Sequence, residues 1–191
     1  RGEVGKKNKL FASFLTNPMS PLMLSTNDGE TALVPRHHPP KRGEHVSILD
    51  AALVESGLAT AWLNRIGGDG NHRWAFIEGR RPQVHHDTSL EFEGQDKWLG
   101  QATGRVVELL NFALDQSTVD RLVEVALEHR MASVKLRFDL DPAMQPILQG
   151  SLDRQLRRRH GVREGFVARH PVGDVLLLCV SPTKDEDSPP I

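Results

Sequence analysis

Two copies of one short pattern, Leu110-Asn-Phe-Ala-Leu-Asp115 and Leu136-Arg-Phe-Asp-Leu-Asp141, constrain the fold of this chain more than any other feature. In each copy Leu, Phe and Leu alternate with period two, so the three apolar side chains share one face of a strand. An Asp closes each copy and a helical pattern follows. The first helix is expected over 118–131, burying Val119, Leu122, Val123, Ala126 and Leu127. The second is expected over 142–160, burying Met144, Ile147, Leu148, Leu152 and Leu156. Pro142 suits a first turn, Pro146 kinks the helix or marks its true start, and Gly161 is the expected C-cap. Strands over 165–168 and 174–180 complete the order β-α-β-α-β-β, which packs helices on a sheet through right-handed crossovers. The segment 105–114 also reads as helix; the strand reading is placed ahead.

The N-terminal half is expected to add a β-hairpin and one helix. Leu22-Met-Leu24 and Thr31-Ala-Leu-Val34 flank Asn27-Asp28-Gly29, where glycine can take the positive φ of a tight reversal. The segment 35–42 holds three prolines and reads as extended or loop. A single helix is expected over 47–66, with Ser47 as N-cap and Gly67-Gly68 as the stop. Gly57 in its middle costs roughly 1 kcal/mol relative to Ala. Segments 73–78 and 89–93 are strand candidates. The fold class is therefore α+β, or α/β, with a mixed sheet. A basic, partly flexible arm over 1–20 precedes one domain over 21–180, with a possible subdivision near 95–104. A flexible, acidic, Pro-rich tail follows over 181–191.

Composition removes several functions. A length of 191 residues with 38% hydrophobic residues suffices for a core without a metal or disulfide. The longest apolar run, Val175 to Val180, falls far short of the roughly 20 residues that span a bilayer, so no membrane partner is expected. The lone Cys179 excludes an internal disulfide framework, and its apolar neighbours predict a buried thiol in a reducing, cytoplasmic setting. The chain begins at Arg1 rather than Met, so processing or trimming is expected. A net charge of −1 argues against coating nucleic acid over the whole surface but permits a local patch. Aromatic residues are 5% and Tyr is absent, which weakens base-stacking platforms. No GxxxxGK[ST] loop, GxGxxG opening a helix or GxSxG elbow is present, and Gly67-Gly-Asp-Gly70 follows a helix rather than preceding one. No cofactor is expected.

The strongest charge feature is the expected helix end carrying Arg154, Arg157, Arg158, Arg159 and Arg163, with His160 among them. Arg154, Arg157 and Arg158 fall at i, i+3 and i+4, one strip opposite Leu152 and Leu156. Guanidinium forks suit phosphate. Cations in a last turn also offset the helix dipole, but the arginine density here exceeds that need. The leading expectation is a non-enzymatic binding module that contacts nucleic acid or another acidic partner through 154–163. Lys6, Lys7, Lys9 and the Arg36–Arg42 loop are possible extensions of it.

Two weaker constellations support a small phosphoester hydrolase. His45-Val-Ser47 and His86-Asp-Thr88 resemble the paired His-x-Ser/Thr motifs of two-histidine phosphoesterases. That resemblance implies one His as base, the other as acid, and hydroxyls on the phosphate. Asp87 departs from it by occupying a position that is apolar in the family. Asp115 and Asp141 would emerge together at the C-terminal edge if the two copies form neighbouring parallel strands, where a metal could bridge them. Each Asp also suits a helix N-cap. Asp139-Leu-Asp141 resembles the DxD element of haloacid-dehalogenase-like phosphatases, but the later motifs of that family are absent. His37, His38 and His85 lack metal-ligand spacing. A third expectation is a protein-interaction or assembly component whose arm and tail order on a partner.

Overall fold

A computed structural model describes residues 11–14, 22–25, 33–67, 74–79, 81–170 and 174–182. The class is α+β. β1 (Phe11–Phe14) and β2 (Leu22–Ser25) pair antiparallel as a separate two-stranded sheet. An eight-stranded sheet holds β3 (Leu33–Pro35), β4 (His45–Leu49), β5 (Trp74–Ile77), β6 (Gln83–His86), β7 (Gly100–Leu110), β8 (Met131–Leu136), β9 (Arg163–His170) and β10 (Val175–Val180). Its order is β3-β5-β6-β4-β7-β10-β9-β8. Only β3–β5 and β8–β9 are parallel.

The C-terminal half has the expected order, β7, α4 (Val119–Glu128), β8, α5 (Met144–Arg157), β9, β10. The repeat, however, does not form the strands. Leu110 and Leu136 are the last residues of β7 and β8, and the rest of each copy is the loop into the next helix. Leu110, Leu114, Leu136 and Phe138 are buried in one core with α4 and α5, and Phe112 and Leu140 pack against it. The strands themselves, 100–110 and 131–136, end where the two copies begin. Pro146 sits in the first turn of α5, where its missing N–H costs nothing.

Three expectations for the N-terminal half are corrected. β2 pairs with β1 rather than with the segment at 31–34, and the Asn27–Gly29 turn lies outside the described residues. The helix expected over 47–66 is three elements: the end of β4, α1 (Ala51–Glu55) and α2 (Ala59–Gly67). Asp50, not Ser47, is the N-cap, accepting from the Ala52 N–H at 2.9 Å. Gly57 at φ +72° turns the chain between the two helices. The strand candidate at 89–93 is irregular and leads into α3 (Asp96–Leu99).

Register places both helical cores on one face. Ser47 pairs with Val84 and with Thr103, and Arg105 pairs with Val180, so Val84 and Val180 point the same way. Val84 belongs to the core under α1 and α2, Val180 to the core under α4 and α5. The opposite face carries Val46, Ile48, Val106, Phe166, Ala168, Leu177 and Cys179, all buried. That face curls on itself. Gln83 of β6 donates to the Arg169 carbonyl of β9 at 2.7 Å, and the His85 and His170 rings lie 5.6 Å apart, although β4, β7 and β10 separate those strands in the sheet. At the β8 edge, Gln149 of α5 accepts from the Leu136 N–H at 2.9 Å and donates to the Val134 carbonyl at 2.8 Å.

Candidate functional site

Leu148, Leu152 and Leu156 bury one stripe of α5, which turns the intervening arginines outward. Arg154, Arg157, Arg158 and Arg159 are exposed, and among the described residues no carboxylate lies within ion-pairing distance of any of them. The helix closes at Arg158, in αR conformation, rather than at Gly161. Gly161 matters for packing instead. A Cβ there would come 2.2 Å from the Met131 carbonyl oxygen, so only glycine lets the α5–β9 turn lie against the start of β8. Arg163 opens β9 and is half-buried.

Arg130 joins this end of the sheet, a residue that periodicity alone does not single out. It turns the chain from α4 into β8 with φ +58°, and its carbonyl accepts from the N–H groups of Val162 (2.9 Å) and Arg163 (3.1 Å). The α4 and α5 C-termini therefore meet at one place, with Arg130 exposed beside the arginine-rich turn. Both arginines of the 36–42 loop are matched: Arg36 pairs with Glu44 at 2.7 Å and Arg42 with Glu108. Lys6, Lys7 and Lys9 lie outside the described residues.

His45 and His86 are brought together as cross-strand partners on β4 and β6, with ring centroids 5.7 Å apart. Ser47, on the same face, puts its Oγ 2.9 Å from His86 Nε2 and 2.9 Å from Thr103 Oγ1. His86 Nδ1 faces the Thr88 carbonyl. A carbonyl only accepts, so Nδ1 carries the hydrogen, and Nε2 is hydrogen-bonded to the Ser47 hydroxyl. Both ring nitrogens are thus engaged, in a nearly buried position. Thr103 also lines a surface pocket of about 420 Å³ bordered by Leu90, Phe92, Glu93, Lys97 and Gln101. His85 points to the curled face, where burial first, then Arg36, His170 and His86, push its pKa down to about 3. His37 and His38 are exposed in their loop, and Asp87 is exposed beyond β6.

Asp115 and Asp141 are kept apart. β7 and β8 run in the same direction but β10 and β9 lie between them, so the two copies are not neighbouring strands. Each carboxylate is engaged at a helix entry. Asp115 accepts from the Ser117 hydroxyl and N–H and from the Thr118 N–H, and these bonds hold its carboxyl below the usual range. Asp141 accepts from the Ala143 N–H at 2.8 Å. Among the described residues no group of three or more His, Cys, Asp or Glu is arranged to hold a metal ion, and no helix is long and apolar enough to cross a membrane. Cys179 is fully buried and free, and burial pushes its thiol pKa up.

No family model matches the sequence, and no curated protein matches it. Among solved structures, it is similar to a candidate methyltransferase from Porphyromonas gingivalis W83, at 14% identity and a TM-score of 0.44. That match covers 86% of this chain and 35% of the other, so the chain spans about a third of that protein's length.

Proposed function

We propose that the chain is a binding module that meets the phosphate backbone of a nucleic acid with Arg154, Arg157, Arg158, Arg159 and Arg163, joined by Arg130. The observation that carries this reading is that the first four are exposed and carry no carboxylate partner among the described residues. An unmatched guanidinium on a rigid helix end gains from displacing condensed counterions at a phosphate, and it loses nothing internal when it does so. A cytoplasmic setting, in which a free thiol such as Cys179 stays reduced, belongs to the same reading.

The test is binding of a short duplex and of single-stranded oligonucleotides across a salt series. Replacing Arg157 and Arg158 together by Ala is expected to weaken binding and to lower the slope of log K against log salt by about 2 for duplex. The melting temperature is expected to stay nearly unchanged, since both side chains are exposed. Unaltered binding in the double variant overturns the proposal. Binding of an acidic protein without any nucleic acid binding would favour the assembly role instead. The phosphoester-hydrolase reading is supported by the His45–His86 pairing, but the engagement of both His86 nitrogens places it second.

A further inference from the structure

Where the sheet curls closed, a cavity of about 170 Å³ opens between the β6 entry and the C-terminal ends of β8 and β9. Arg81, Arg137 and Arg169 all line it, with Gln83 and Phe138 beside them and Glu78 and Asp139 also in its wall. The three guanidiniums differ in how they are held. Arg81 Nε is 3.6 Å from an Asp139 oxygen and Arg169 Nε is 3.3 Å from Asp174, both longer than the roughly 2.7–2.9 Å of a tight charge-assisted bond. Arg137 has no carboxylate within ion-pairing distance among the described residues. Its backbone is fixed by a 2.8 Å bond from its N–H to the Val167 carbonyl. The Arg169 guanidinium lies over the Phe138 ring, 5.0 Å from its centroid, and the Arg169 carbonyl is the one that Gln83 holds.

We propose that this cavity is a binding site for a small phosphate monoester, with Arg137 as the principal ligand and Arg81 and Arg169 recruited from their loose pairs. Three arginines lining one cavity suit a group that carries up to two negative charges and several acceptor oxygens. The volume sets the size of the rest of the molecule. Sites for drug-sized ligands run about 300–1,000 Å³, so this one has room for a phosphate with a short substituent. Glu78, exposed in the wall, is placed to accept from a hydroxyl on that substituent. The site is independent of the basic α5 end, because Arg137 and Arg169 follow or end the strands whose starts lie beside Arg130 and Arg163.

The experiment titrates the full chain with inorganic phosphate, then with glycerol phosphate, and with succinate as a carboxylate control, following amide shifts by NMR at constant ionic strength. Saturable shifts at Gln83, Arg137 and Phe138 with phosphate are expected, weakened at least about tenfold in Arg137→Ala and unchanged when Arg157 and Arg158 are both Ala. Arg137→Gln, which keeps the side-chain bulk, gives the same reading if the Ala variant does not fold. The proposal is overturned by any of three results: no saturation at millimolar phosphate, wild-type affinity in the Arg137 variants, or succinate binding as tightly as phosphate. Phosphate shifts confined to 154–163 would also overturn it, while leaving the nucleic-acid reading standing.

Discussion

A histidine with 1% of its surface exposed meets protons differently in the folded and the unfolded chain. His85 has a pKa near 6.5 when unfolded and about 3 in the fold, so between those values only the unfolded chain binds the proton. Stability therefore falls as pH is lowered through that window, by about 1.4 kcal/mol per pH unit, and is insensitive to His85 above it. Urea unfolding at pH 7 and pH 5 is expected to show a loss on acidification that His85→Gln reduces by about 2 kcal/mol. Identical pH dependence in the two proteins would remove His85 as the cause. At this scale much could be read from sequence: the buried thiol of Cys179, the placing of Asp115 and Asp141 at helix entries, and the exposed arginine strip follow from residue type and spacing, although Thr118 and Ala143 are the N-caps themselves. Ser47 could not be so read. A serine before an apolar run looks like an N-cap, and only the pairing of β4 with β6 and β7 turns its hydroxyl toward His86 and Thr103.

Among the elements, the 47–67 stretch shows where period alone misleads. Its apolar residues satisfy a helical spacing across a strand end, a turn and two helices, because short elements sample the same spacing by accident. Gly57 decides the matter by sign. In one continuous helix Gly57→Ala would stabilise by roughly 1 kcal/mol, whereas at φ +72° it should destabilise by about 1–2 kcal/mol, which chemical denaturation can measure. The Leu-Phe-Leu-Asp repeat was legible as a recurring unit but not as the right one. Its side chains alternate because a strand's last residue and the following loop are pressed onto one core, and the strand itself runs earlier through Thr103, Arg105 and Glu108, whose polarity hides it.

For the molecule as a whole, the curl of the sheet joins two halves that sequence describes separately. No local pattern reports that β6 and β9 will touch, since the contact depends on twist accumulated over the strands between them. Gly104 marks how closely that face is packed: a Cβ there would lie 2.5 Å from the Val180 carbonyl oxygen and 2.9 Å from the Phe166 ring. Gly104→Ala is expected to cost about 1–3 kcal/mol in unfolding free energy, and a neutral result would show that the curl has slack. The same closure gathers Arg81, Arg137 and Arg169 from distant segments, which is why the cavity had no signature in the linear chain.

The rim of β8 is where another molecule's backbone would find an invitation to extend the sheet. Gln149 already answers it, its amide presenting to Leu136 and Val134 the same donor and acceptor that a visiting strand would bring. A second copy adding itself along this rim must first evict that side chain, so one glutamine stands guard against stacking of molecules edge to edge.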